Sequence, residues 1–391
     1  MPYDGLTAEQ REIRELVRTL ARERIAPRAA EIDKSAEFPW DVVELFRENG
    51  LFSSIADEEY GGIGASALTL LVSVEEISKV CATSGLILAG QELGALGFKL
   101  AGNVEQKRRF LPRIVSGELL PAYALTEPGS GSDAAAMRTE ARREGGVYVL
   151  DGSKRFITNA GVAGVYVCFA KTDPAAGHHG ISAFAVEAGT PGFEVGRIEP
   201  KMGIKGSTTG ELFFDGCRVP VENRLGEEGE GFRLAMRILD RSRPGVAAQA
   251  LGIAEGATDY ALEYARTRET MGTPIARHQL VAAMLADMET KCEAGRSLLL
   301  RCGALIDEGV EGGELTKLSA ITKLFCTDTA MSVTTDAVQV LGGYGYMSEF
   351  PVERMMRDAK ITQIYEGTNQ IQRLVIAREM LREQRGSPFG P

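Results

Sequence analysis

The chain has 391 residues, enough for two or three domains that each bury a core. Its 44% hydrophobic and 25% charged content is ordinary for a soluble globular protein, and a net charge of −10 argues against a nucleic-acid binder, which needs a basic face. Six cysteines without a CxxC pair and three histidines complete no zinc set, so no metal is expected and the thiols read as reduced. No apolar run approaches the roughly 18–20 residues that span a bilayer. The start, Met1-Pro2-Tyr3-Asp4-Gly5, lacks the basic and apolar segments of a secretion signal. A cytoplasmic protein with no membrane contact is expected, although a processed transit peptide would leave no trace.

The first third reads as helix. Thr7 and Gln10 have the form of a capping box, followed by Ile13, Leu16, Val17, Leu20 and Ala21 at helical spacing, with Pro27 near the end of the run. Further helices are predicted over 41–49 (closed by Gly50), 68–78 and 83–100. Asn103 and Gln106 repeat the capping box before a helix over 107–115, and no strand is expected before residue 120. The middle third turns β-rich. Strands are predicted at 148–150, 155–158, 165–170, 181–186 and 211–214, with Asp151-Gly152 as a hairpin turn and Asp215-Gly216 as a strand end. Their spacing suggests a compact sandwich or barrel. After Gly231 helical spacing returns at Phe232, Ala235, Met236 and Leu239. Pro244 reads as a first-turn residue of a long helix towards Arg268, with others over 278–308, 315–341, 351–358 and 369–384. The order α, β, α disfavours a doubly wound sheet. The expected fold is α+β and multidomain: a helical domain over 1–120, a β domain over 121–230 and a helical bundle over 231–391.

Three segments stand out as candidate chemistry. Residues 124–133, ALTEPGSGSD, leave a strand for a Gly/Ser loop whose amides and hydroxyls suit an anion or a flavin edge. They do not form the GxGxxG turn of a dinucleotide fold. Residues 339–346, QVLGGYGY, read equally well as a helix stop. In residues 364–372, IYEGTNQIQ, Glu366 lies between an aromatic residue and a glycine. Such a glutamate is usually a solvated helix-dipole partner, whereas an apolar setting would raise its pKa and make it a competent base.

As a set and in this order, the three segments resemble the acyl-CoA dehydrogenases over essentially the whole length. The resemblance implies an N-terminal helical domain, a central β domain, a C-terminal helical bundle, an FAD cofactor and a homotetramer. It further implies that Glu366 removes the α-proton of an acyl-CoA thioester while flavin N5 takes the β-hydride, giving a trans-2-enoyl-CoA as in fatty-acid β-oxidation. By position, Tyr123, Leu125, Thr126 and Ser132 line the flavin, Ser132 also nearing the substrate. Phe156, Ile157 and Thr158 cover its other side. Arg268 and Gln279 match positions that hold the ADP half. Gln339, Gly342 and Gly343 match a segment reaching the FAD of a neighbouring subunit, and Thr368 and Gln370 match further cofactor contacts. Asp240 and Arg243 belong to a stretch that contacts CoA, and Tyr365 and Gly367 flank the base at the thioester.

Some branches carry the base near residues 243–245, which here read Arg243-Pro244-Gly245 without a carboxylate. Phe156 stands where Trp is common and Met271 where Phe is common; both are bulky and apolar, so FAD binding is still expected. The segment 84–90, SGLILAG, borders the acyl pocket in the family and lacks the Arg expected for a dicarboxylic acyl group. Straight short or medium, branched and alicyclic chains stay open. An electron-transfer flavoprotein is the expected acceptor. The alternatives are a flavin oxidase or monooxygenase on the same scaffold, or a non-catalytic homologue; the monooxygenase would not need Glu at 366, and an oxidase would reoxidise rapidly in air.

Overall fold

The structure, a computed structural model, describes residues 5–64 and 66–382. Helices α1 (Ala8–Leu20), α2 (Ala29–Ser35), α3 (Trp40–Glu48), α4 (Ala67–Ser78), α5 (Ala82–Ala101) and α6 (Val104–Val115) come first. Both expected capping boxes form: the Thr7 hydroxyl accepts from the Gln10 amide and the Asn103 side chain from the Gln106 amide, with each glutamine answering the cap's own N–H. The run beyond Leu20 does not stop at Pro27. It widens through a π turn, tightens through a 3-10 turn, Pro27 taking the first-turn place where its missing N–H costs nothing, and resumes as α2.

The middle of the chain forms β1 (Pro121–Ala124), β2 (Glu140–Glu144), β3 (Val147–Thr158), β4 (Val165–Lys171), β5 (Ile181–Glu187), β6 (Phe193–Ile198), β7 (Thr209–Pro220) and β8 (Arg224–Leu225). They pair in the order β6-β7-β3-β2-β4-β5-β8, with β1 parallel to β4. Side chains from distant strands meet in one core: Tyr148 of β3 packs on Phe184 of β5 at 4.9 Å, and Tyr166 of β4 on Phe193 of β6 at 4.8 Å. The sheet therefore curls over its own apolar face, as a compact β unit requires. Asp151-Gly152 is not the hairpin turn; that turn is at Gly145-Gly146, between β2 and β3. Asp151-Gly152 and Asp215-Gly216 instead face each other where the β3–β7 ladder shifts register. Asp151 Oδ1 accepts the Gly216 amide at 2.7 Å, and Gly216 has φ +60°, so one composition that favours turns serves a bulge here.

The last third is helical: α7 (Gly231–Thr267), α8 (Gln279–Asp307), α9 (Gly313–Leu341), α10 (Pro351–Thr362) and α11 (Asn369–Arg382). The predicted residues 383–384 of the last helix lie outside the described ones. Pro244 does not open a helix. It lies buried inside α7, which begins at Gly231, and the helix is buried on all sides around it, from Ser242 to Glu255, packing that outweighs the roughly 3 kcal/mol a mid-helix proline costs. A short hairpin, Glu269–Thr270 with Thr273–Pro274, carries Met271 at its tip, 96% exposed and at φ +51°. One apolar core runs from α3–α6 through β4 and β5 into α7–α10, so the helical ends and the sheet share packing. All six cysteines are buried free thiols, and no described helix is long and apolar enough to cross a membrane.

Candidate active site

A cavity of about 290 Å³ opens where all three parts of the chain meet. Helix α5 contributes Leu86, Gly90 and Leu93, and α7 contributes Phe232, Met236, Leu239 and Arg243. Tyr123 of β1, with Leu125, Thr126 and Ser132 of the loop that follows, forms a second wall, and Phe156, Ile157 and Thr158 at the end of β3 a third. Tyr365, Glu366 and Gly367 close the cavity from the turn before α11. Eleven of the sequence candidates thus converge on it.

The Gly/Ser loop is pinned from below. Glu127 and Ser130 exchange main-chain bonds of 3.1 Å, and the Arg155 amide donates to Thr126 O at 2.9 Å. Lys154 and Glu127 form a buried ion pair of 2.8 Å, the ammonium also donating to Leu125 O and the carboxylate accepting the Arg138 and Thr139 amides. Burial opposes ionisation of Glu127, but Lys154, Thr139 and the Arg138 amide outweigh it and hold the carboxyl below its usual range. At Gly129 and Gly131 an added Cβ would meet nothing within 4 Å, so the main chain faces open space. A register shift between Lys154 and Ile157 turns Phe156 outward at φ +59°, 58% exposed, with the Arg155 guanidinium 5.2 Å from the ring.

Glu366 adopts φ +52°, a conformation that costs a non-glycine residue on the order of 1 kcal/mol or more. Side chains hold it there. Its carbonyl accepts from Gln372 Nε2 at 3.2 Å and from Arg243 Nε at 3.4 Å. Gly367 O accepts from the buried Lys323 Nζ and from Gln372 Nε2, both at 2.9 Å. The Ser242 hydroxyl donates to Glu366 Oε2 at 2.5 Å. The carboxyl faces the cavity and is crowded elsewhere; burial raises its pKa, against the opposing pull of Ser242, Arg243 and Lys323. Burial also draws Lys323 down to about 7, with Glu366 opposing, so the positive charge under the turn is a weakened one. Tyr365 hydrogen-bonds Gln249, which in turn donates to Ala82 O at 2.8 Å, tying the turn to α5. Arg243 pairs with Asp240 at 2.8 Å, and Asp240 accepts from Thr316 at 2.5 Å.

Gly367 is required by this geometry. Its φ is +93°, and an added Cβ would stand 2.7 Å from Gln372 Nε2, the group that holds the Glu366 carbonyl. Gly367→Ala is expected to lower stability by about 1–3 kcal/mol, and to lower kcat more than it raises KM. Urea melts and steady-state rates on the one variant read both.

The remaining sequence candidates lie away from the cavity. Arg268, Gln279, Gln339, Gly342 and Gly343 are exposed where α7 and α9 end and α8 begins, Arg268 stacking 5.6 Å over Tyr344. Gln370 is exposed, and the Thr368 hydroxyl caps α11 by accepting the Ile371 amide. The α7 residue that touches the Glu366 carboxylate is Ser242, one place before the stretch 243–245 singled out in the sequence. Lys323, Gln249 and Lys154 also escaped notice, and Gln372 and Glu127, although inside the segments singled out, were given no role. The signal available for Lys323 was a single charge among the buried positions of α9, which otherwise carry apolar, serine and threonine side chains.

The sequence matches three family descriptions in series: acyl-CoA dehydrogenase N-terminal domain over 7–118, middle domain over 122–217 and C-terminal domain over 229–381. The chain belongs to the acyl-CoA dehydrogenase family. It is 50% identical over 376 residues to cyclohexane-1-carbonyl-CoA dehydrogenase of Geobacter metallireducens, covering 96% of this chain and 98% of that one. A chain solved in work on the electron transferring flavoprotein of Acidaminococcus fermentans and flavin-based electron bifurcation is 46% identical, with a TM-score of 0.94 over 97% of this chain and 99% of that one. An acyl-CoA dehydrogenase of Bacillus anthracis, solved in complex with FAD, is 34% identical with a TM-score of 0.90, over 98% of this chain and 68% of that one.

Proposed function

We propose that the protein is an FAD-dependent dehydrogenase of acyl-CoA thioesters, with Glu366 as the base that removes the α-proton. The observation that carries this reading is a carboxylate of raised pKa, held at φ +52° by four side chains, facing a cavity walled by Thr126, Phe156 and Thr158. The cofactor fits the residues present. The open main chain at Gly129 and Gly131 and the hydroxyls of Thr126, Ser132 and Thr158 suit a flat polar ring system on the side opposite Glu366. Arg268, Gln279, Gln339, Gly342 and Gly343 would hold the rest of FAD, Thr368 and Gln370 adding contacts. At Gly342 and Gly343 an added Cβ again meets nothing within 4 Å. That this set lies exposed and apart from the cavity favours its serving a second copy of the chain, in the homotetramer that the family resemblance implies. FAD, when bound, supplies the acceptor for the β-hydride.

Glu366 accepts the α-proton on one carboxylate oxygen while Ser242 steadies the other. The thioester carbonyl gathers negative charge as the proton leaves. The Glu366 amide, which finds no main-chain acceptor among the described residues, can stabilise that charge, and such a donor is typically worth about 3–4 kcal/mol. Gly367 lets the thioester lie against the backbone, and Arg243, paired with Asp240, would orient the CoA arm. Leu86, Gly90 and Leu93 exclude water from the acyl end, which raises the Glu366 pKa further when substrate is bound. The product is a trans-2-enoyl-CoA, and an electron-transfer flavoprotein is the acceptor this reading favours, given the similarity to a chain solved in work on one.

The test is anaerobic bleaching of the purified yellow protein by a panel of straight, branched and alicyclic acyl-CoAs. Bleaching by at least one member with release of an enoyl-CoA is expected. The similarity to a cyclohexane-1-carbonyl-CoA dehydrogenase puts the alicyclic thioesters first in the panel. No bleaching across the panel, or a protein that takes up no FAD, would reject the assignment.

A further inference from the structure

A second cavity of about 210 Å³ lies on the other side of Ser242, between the start of α4, helix α5, helix α7 and the end of α8. Its polar lining includes Asp57, Glu92, Lys99, Arg241 and Asp307, with Ser242 itself. Asp57 and Asp307 are exposed, so the space reaches the surface, whereas Glu92 is largely buried and paired with Lys99 at 3.0 Å. Glu366 lines the first cavity only and Ser242 the second only, and the 2.5 Å bond between them joins the two across helix α7. Beside it α5 and α7 approach closely: a Cβ on Gly245 would touch the Ala89 methyl at 3.8 Å, both residues lining the second cavity. A polar space of this size has room for several waters at about 30 Å³ each.

Resting on the reading of Glu366 as the base, we propose that Ser242 is a proton relay that discharges Glu366 into the second cavity while the thioester still fills the first. The need arises from the chemistry. Each turnover leaves the α-proton on Glu366, whose low-polarity setting favours keeping it, and the substrate side is plugged by ligand. The step balances without any redox partner. Rotation of the Glu366 carboxyl about Cγ–Cδ brings its newly protonated oxygen to Ser242 Oγ, whose own hydrogen has turned towards the second cavity; the carboxyl gives its proton to Oγ, the original Oγ–H bond breaks towards that cavity, and Glu92 takes the proton through the solvent there before it passes to the bulk. The electrons stay with each oxygen, and the serine is left with a hydrogen pointing at an ionised Glu366, which is the observed arrangement. Ser242 touches no reacting carbon and acts through Glu366.

The experiment uses the FAD-loaded enzyme and 3,3-dimethylbutanoyl-CoA, which has α-hydrogens and no β-hydrogen, so deuterium uptake from D2O reports proton loss from Glu366 without oxidation. Uptake is followed by mass spectrometry, and single-turnover bleaching by an oxidisable acyl-CoA is measured in parallel. Ser242→Ala is expected to slow uptake by about tenfold or more relative to bleaching. Ser242→Thr should restore uptake, and Glu92→Gln should slow it while leaving bleaching at the wild-type rate. Uptake and bleaching falling together in Ser242→Ala would mean that the serine only orients the base, and unchanged uptake would mean that the proton leaves elsewhere; either result overturns the relay. Full uptake in Glu366→Gln would instead remove Glu366 from its role, a failure of the underlying reading and not of the relay.

Discussion

Glu366→Gln is expected to stay yellow, bind acyl-CoA and lose bleaching by substrate by a factor of about 10³–10⁴, the span a positioned base commonly supplies. Glutamine keeps the shape and can still accept from Ser242, so the turn at φ +52° should survive and urea stability should change little. Stopped-flow reduction of the variant with the best substrate of the panel gives the factor directly, and a near-normal rate would reject the base. The wild-type pH profile offers a second check. Burial raises the Glu366 pKa, and only the ionised carboxylate can take a proton. Reduction should therefore be lost as pH falls through a value above the ordinary carboxylate range, and regained on the alkaline side. A limb at the ordinary value would mean that the setting does not tune the base.

Lys154→Met is expected to cost about 3 kcal/mol, because the substitution removes the cation paired with a carboxylate that remains buried. Lys154 is fully buried and Glu127 nearly so, and the pair carries the loop that forms one wall of the cavity. The variant should melt earlier and release FAD more readily, which chemical denaturation and cofactor retention on gel filtration would read. The same pair makes stability depend on acid. Glu127 has its folded pKa below the unfolded value, so its contribution is present above the unfolded pKa and is lost as pH falls through the folded one. Wild-type stability should fall in acid faster than that of the double variant Lys154→Met/Glu127→Leu, in which neither charge is buried. Equal acid slopes would show that the pair contributes no linkage.

Much of the fold was legible because its signals are local. A capping box operates over three residues, and both predicted boxes form with the expected donors and acceptors. The switch from helical to strand periodicity near residue 120, and back near 231, follows from which faces must be buried, and that is written in each segment's own pattern. Local signals failed where one composition serves two structures. Asp-Gly favours a hairpin turn and equally fills a bulge, and nothing near Asp151 or Asp215 in the chain reveals that the two pairs will face one another. Pro244 reads as a helix start, yet burial of the helix on all sides around it carries α7 through it.

The site divides along the same line. Glu366, the Gly/Ser loop and the end of β3 stood out because each is a short run of unusual composition, and the cavity draws on all three. Ser242, Lys323 and Glu92 did not, because a serine, a lysine and a glutamate on helices carry no mark of their own. Ser242 meets Glu366 across 124 residues of chain, and Lys323 meets Gly367 across 44.

By itself the sequence determined which residues are able to do chemistry, the order of helix, sheet and helix, and membership of a family. Only the tertiary structure decided what surrounds the base: the hydroxyl on one oxygen, the weakened cation beneath, and the second cavity behind. The physical reason is that a carboxylate's acidity and its routes for proton exchange depend on burial and on partners a few ångströms away, and those are set by packing between segments far apart in the chain.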